Sequence, residues 1–170
     1  MSNTPCEPPA TPVELIEAKV ELPYHYVAGD YRAQYLRALQ NKRILGSRCP
    51  VTGKVFVPPI VNSPASMARC GELVDVADRG TITTFCVVNI DVIGRNLKLP
   101  YVAASVALDG ADISIFALVY ECEASEVRMG MRVAAVWKPD GERQGSHEDI
   151  LYFRPTGEPD APRESYIDRL

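Results

Sequence analysis

A chain of 170 residues and 18.7 kDa has room for one medium domain, or for a small module joined to a compact one. Apolar residues at 46% and charged residues at 24% permit a real core and exclude wholesale disorder, while no run reaches the roughly 18 apolar residues of a membrane-spanning helix. The opening Met1-Ser2-Asn3-Thr4-Pro5 has neither the basic flank nor the apolar run of an export signal, so the scattered cysteines (Cys6, Cys49, Cys70, Cys86, Cys122) read as free thiols of a cytoplasmic protein.

The net charge of -4 conceals a strong asymmetry. From Tyr31 to Gly71 there are seven basic residues (Arg32, Arg37, Lys42, Arg43, Arg48, Lys54, Arg69) and no acid. The preceding residues carry about -4 and the following ones about -7. Such a gap points to something anionic, a ligand or a partner; the alternative is that the segment docks on the chain's own acidic half.

In chain order, residues 1–22 hold Pro5, Pro8, Pro9 and Pro12 among four glutamates and read as a flexible Pro-rich arm, in which Val13–Val20 forms a short helix only under a partner. Asp30 is placed to cap a helix in which Tyr31, Tyr35, Leu36 and Leu39 recur on one face up to about Asn41. A small hairpin follows, its turn at Thr52-Gly53, closed by the rigid Pro58-Pro59. Helix and hairpin make a module over 23–70. From Glu72 the pattern turns to β: a turn or bulge at Arg79-Gly80, then strands over Thr81–Ile90, Pro100–Leu108, Ile113–Tyr120, Arg132–Lys138 and Ile150–Arg154, with a helical or turn insert at Ala124–Gly130. Five strands with that insert between the third and fourth predict a mainly β protein, its OB-fold barrel over 71–156 followed by a C-terminal tail, 157–170.

Four side chains stand at the corners of a zinc ribbon: Cys49 and Thr52, then Ser63 and Ser66. A ribbon needs four soft ligands in two C-x-x-C pairs, and only Cys49 supplies sulfur here, so zinc is not expected. The stretches Gly46-Ser47-Arg48-Cys49, Val57-Pro58-Pro59, Arg79-Gly80-Thr81-Ile82, Leu99-Pro100-Tyr101-Val102-Ala103, Val127-Arg128-Met129-Gly130-Met131-Arg132-Val133 and Phe153-Arg154-Pro155 follow in that order within a region of roughly residues 23–156. In them the chain resembles the OB-fold, acyl-CoA-associated proteins formerly called domain of unknown function 35. That resemblance implies an N-terminal helix, a rubredoxin-like ribbon and an OB barrel. It also implies a role as subunit of a thiolase-like enzyme, a lipid-transfer-protein-like aldolase or an acyltransferase, helping to bind the acyl-CoA while the partner holds the catalytic groups.

The residues agree with a chain that is not an enzyme on its own. His25 and His147 sit in no catalytic motif, and His147, beside Glu148 and Asp149, reads as a solvated loop residue. No cofactor is expected beyond a shared coenzyme A thioester, whose phosphates Arg43, Arg48 and Lys54 are placed to meet, with Val57, Pro58 and Pro59 beside them as ligand or interface residues. Single-stranded nucleic acid, a common ligand of OB barrels, is disfavoured by the acidic barrel and by aromatics (Phe85, Tyr101, Phe116, Tyr120, Trp137, Tyr152, Phe153) set in apolar strands. A free-standing hydratase or thioesterase is the remaining alternative. The expected assembly is a hetero-oligomer away from membranes.

Overall fold

The structure, a computed structural model, describes residues 19–91 and 97–169. Most of the proline-rich arm, including nearly all of Val13–Val20, lies outside them.

Helix α1 (Gly29–Gln40) begins a residue before the expected cap. Ala28 occupies the N-cap position without a side-chain bond, and Asp30 sits in the first turn, where its charge favours the positive end of the helix dipole. The aromatic and leucine stripe does what its spacing predicts: Tyr35, Ala38 and Leu39 are buried. Strands β1 (Ile44–Arg48) and β2 (Val55–Phe56) form the hairpin, with Gly53 in the left-handed region at the turn. The pattern groups Glu72 onward with the barrel, but β3 (Glu72–Val76) pairs along the whole of β1, from Ile44↔Val76 to Arg48↔Glu72, giving a sheet in the order β2-β1-β3.

Strands β4 (Arg79–Val88), β5 (Tyr101–Leu108), β6 (Ser114–Val119), β7 (Arg132–Trp137) and β8 (Ile150–Pro155) close a barrel in the order β4-β5-β6-β8-β7. All neighbours are antiparallel except β6 and β8. This is an OB fold. Arg79-Gly80, read as a turn or bulge, lies inside β4, and the curvature that a long, doubly apolar strand requires comes from a bulge further on, between Ile82 and Thr84. The insert at 124–130 is a set of turns rather than a helix.

Module and barrel share one core. Tyr35, Leu39, Ile44 and Val57 pack in a single cluster with Ile82, Val106, Val133 and Phe153. Each fully enclosed aliphatic or aromatic side chain there contributes about 1.5–3 kcal/mol of transfer free energy. Polar clasps hold the edges. Arg132 bonds both oxygens of Asp109 at 2.8 and 2.5 Å, and the guanidinium holds that carboxyl below the usual range. The tail is strapped down by Arg79–Glu158 and Arg128–Asp160, each at 2.6 Å, and by the Ala161 N–H on the Gly130 carbonyl.

Gly80 marks the tightest crossing of the barrel. A Cβ built there would fall on the Ala107 carbonyl, backbone that cannot step aside. Gly80→Ala is therefore expected to cost about 1–3 kcal/mol through overpacking. A lowered denaturant midpoint with the spectrum of a folded barrel is the expected result.

Candidate functional site

The site begins where two strands separate. β6 and β8 share one ladder pair, Val119↔Phe153, and diverge towards Ser114 and Ile150. Between them, roofed by α1 and the hairpin, lies a groove of about 810 Å3. Its walls are mostly apolar: Ile115, Phe116 and Leu118 from β6, Ile150 and Leu151 from β8, and Val57 with Pro58 from the module. Tyr35, Lys138, His147 and Glu148 supply polar groups to it. Size and lining suit a small apolar ligand with one polar end.

The polar end is built by the loop before β8. Asp149 is completely buried and accepts the backbone N–H groups of Gln144, Gly145 and Ser146 at 3.0, 2.8 and 3.1 Å. Burial alone would raise its pKa; those N–H groups, with Lys138 nearby, hold it below the usual carboxylate value. Gly145, at φ +75°, passes so close to the Leu36 carbonyl that a Cβ would sit 3.1 Å from it, so the loop needs glycine on both counts. The loop thereby lies against α1, and His147, exposed as its sequence context predicts, rests with its ring against that helix. Its ring lies 5.6 Å from that of Tyr35, with Arg32 Nη2 3.5 Å from its Nε2. Burial first and Arg32 second lower the His147 pKa from 6.5, while burial pushes the Tyr35 hydroxyl up to about 12. A histidine facing a guanidinium has no carboxylate to orient it as a base, so it fits a binding wall better than a proton-transfer step.

Of the residues chosen from sequence, Val57 and Pro58 line the groove and Pro59 is buried outside it. Arg43 and Arg48 point elsewhere. Arg43 forks onto Asp75 at 2.9 and 2.8 Å, and Arg48 reaches Glu72 at 3.3 Å, both across the β1–β3 pairing. Lys54 is exposed at the hairpin and has no ion pair among the described residues. Phe116 and Phe85, expected inside the strands, stand 75% and 37% exposed. Sequence reasoning missed the groove's polar end. Its available signal was the Gly145-Ser146-x-x-Asp149 run, which reads as a capped turn.

The ribbon corners do come together. Cys49 Sγ lies 3.3 Å from Ser66 Oγ and accepts the Thr52 N–H at 3.4 Å. The Ser63 hydroxyl, fully buried, has no hydrogen-bond partner among the described residues. The hydroxyl of Ser66 first, then those of Thr52 and Ser63 close by, bring the Cys49 pKa down to about 6. One sulfur and three neutral hydroxyls do not fit zinc, and no cluster of three metal-binding side chains occurs among the described residues. Phe56, Cys70 and Ile60 pack around this cage instead.

Two measurements follow from this geometry. Less than about 0.1 zinc per chain should survive a chelator wash, whereas Thr52→Cys/Ser63→Cys/Ser66→Cys should retain about one, since four thiolates would then meet the ligand requirement; metal analysis of both proteins decides it. For His147, the folded pKa lies below the unfolded 6.5, so the unfolded chain takes up the proton first and stability falls as pH drops below that value. His147→Gln should flatten the fall in stability below pH 6.5, read as denaturant midpoint against pH.

Comparison with known proteins adds a family match over part of the chain, and a fold. Residues 73–138 match the family model described as ChsH2, C-terminal OB-fold domain. A solved structure described as the Ltp2-ChsH2(DUF35) aldolase superposes with a TM-score of 0.56 at 22% identity, covering 73% of this chain and 93% of that one. A protein of unknown function from the DUF35 family of Sulfolobus solfataricus gives 0.52 at 15% identity, covering 72% and 81%. At these identities the structural likeness is one of fold. No curated protein matches the chain.

Proposed function

We propose that this chain, an OB-fold member of the DUF35 family, serves as an accessory subunit without a catalytic set of its own, in a complex whose partner enzyme works on acyl-CoA thioesters. The partner is of the thiolase-like or lipid-transfer-protein-like kind, and the assembly is a cytoplasmic hetero-oligomer. The observation that carries this reading is the groove between β6 and β8. It offers an apolar wall long enough for an acyl chain, and at its polar end Glu148 pairs with Lys138 at 3.7 Å while His147 faces Arg32 rather than a carboxylate. A neighbour described as an aldolase of two named components, one of them a DUF35 protein, supports the accessory role. No helix among the described residues is long and apolar enough to cross a membrane.

In this reading the acyl group lies along Phe116, Leu118 and Leu151, while the partner holds the thioester carbon. The phosphates of coenzyme A meet cations at the hairpin. Arg43 and Arg48 already serve Asp75 and Glu72 in exposed pairs, which are weak and can be re-routed, and Lys54 needs no such exchange. Carbon–carbon cleavage or formation, by thiolysis, retro-aldol reaction or acyl transfer, is the partner's chemistry.

Co-expression with the cognate thiolase-like or lipid-transfer-protein-like enzyme should yield a complex that survives size exclusion. The isolated chain should turn over no acyl-CoA. Within the complex, Leu151→Asp should raise KM for a long-chain acyl-CoA by about tenfold or more, as expected for losing apolar contact worth about 1.4 kcal/mol, with kcat little changed. Turnover by the chain alone, abolished by His147→Gln, would instead establish a free-standing enzyme.

A further inference from the structure

Among the described residues, the closed barrel leaves part of β4 unpaired on one side. β4 meets β7 from Arg79↔Ala134 to Thr81↔Arg132, and the Ile82 backbone bonds Met131 and Gly130. Past Ile82, no strand among the described residues pairs with that edge, although the opposite edge stays paired with β5 as far as Val88↔Tyr101. Thr84, Phe85, Cys86 and Val87 are exposed, and no charge or proline interrupts the chain from Gly80 to Ile90. Natural sheets blunt open edges with lysine, proline or short length; this one is long, uncharged and β-branched.

The same chain carries a matching strand. Residues 19–28 form no secondary structure, yet Val20, Leu22, Tyr24 and Tyr26 alternate with Glu21, Pro23 and His25. All four apolar side chains are exposed, by 82, 79, 81 and 68%. Period-two apolar spacing is the pattern of a strand with one face covered, and nothing among the described residues buries this one. We propose that this arm adds as an edge strand to the open half of β4 in a second copy of the chain, each copy donating its arm to the other.

Length, backbone chemistry and symmetry favour that occupant. Val20–Tyr26 extended spans about 23 Å, and the open edge from Thr83 to Val88 spans about 20 Å. Pairing through Val20, Leu22, Tyr24 and Tyr26 turns the backbone of Pro23 to the outer edge, where its missing N–H costs no ladder bond. The gap between β6 and β8 would flank the arm on both sides, which Pro23 forbids. The β3 edge carries the charged Glu72 and Asp75, which guard it as β4 is not guarded. One arm and one edge per chain, exchanged about a two-fold axis, close the assembly with no edge left to propagate.

Cys86, exposed midway along the edge, is a native probe. The full-length chain should run as a dimer by light scattering at micromolar concentration. Tyr24→Cys, mildly oxidised, should give a covalent dimer in which peptide mapping finds the introduced thiol joined to Cys86. Leu22→Asp/Tyr24→Asp alters only exposed side chains, so the fold is kept, and dimerisation should weaken at least tenfold; Thr84→Lys should do the same from the other side. A chain monomeric at every concentration, a dimer indifferent to the arm changes, or an introduced thiol joined to Cys86 only within one chain or to a different thiol would overturn the proposal.

Discussion

The whole arrangement depends on how little of β8 pairs with β6. A five-stranded barrel closes only if its third and fifth strands meet, and here they meet at Val119 and Phe153, reinforced by the Tyr120 N–H on the Phe153 carbonyl. Phe153 is completely buried at that closure, so the contact is held by packing as much as by hydrogen bonding. Further pairing would zip the strands together and leave no groove. With none, the barrel would be an open sheet. The module settles the difference, since α1 and the Val57-Pro58 corner cover the place where the strands part.

That closure also explains the shared core. A ribbon-like hairpin of this size has too few apolar residues to stand alone, and structural metal usually makes up the deficit. Here β3 continues the ribbon sheet straight into the barrel, and Tyr35, Leu39 and Ile44 bury themselves against barrel residues. The hydroxyl cage around Cys49 occupies the corner positions of a metal site, but the sheet is held from outside the cage. The hairpin therefore rests on the shared core and not on its four corner side chains.

The barrel was legible because each strand carries its own alternation and its own turn residues. Asp109-Gly110 and the proline before Tyr101 bound their strands within a residue or two of where the structure puts them. Legibility failed wherever a residue's meaning depended on a partner distant in sequence. The acid-free stretch ends at Gly71, and the acids that answer Arg48 and Arg43 are Glu72 and Asp75, just past the boundary. They face each other only because β3 turns back along β1. His147 is the exposed loop histidine it looks like, but its contact with Tyr35 arises only because Gly145 lets the loop approach Leu36. Phe116 looks like core because periodicity cannot say which face of a two-sided apolar strand is covered. The ribbon corners were legible because their spacing survives without the ligands.

The return of β3 along β1 has a kinetic consequence. By neutralising Arg43 and Arg48 locally, it removes much of the positive lobe that the count of charges suggests, and what a distant polyanion feels is closer to the net -4 of the whole chain. Within about a Debye length, roughly 8–10 Å, a phosphate can still find a nearby cation; beyond it the field repels. An anionic ligand should therefore approach the isolated chain faster as salt is added, the reverse of ordinary electrostatic steering, which stopped-flow association at two ionic strengths would reveal. A partner enzyme with a basic face would invert that sign and make capture a property of the assembly.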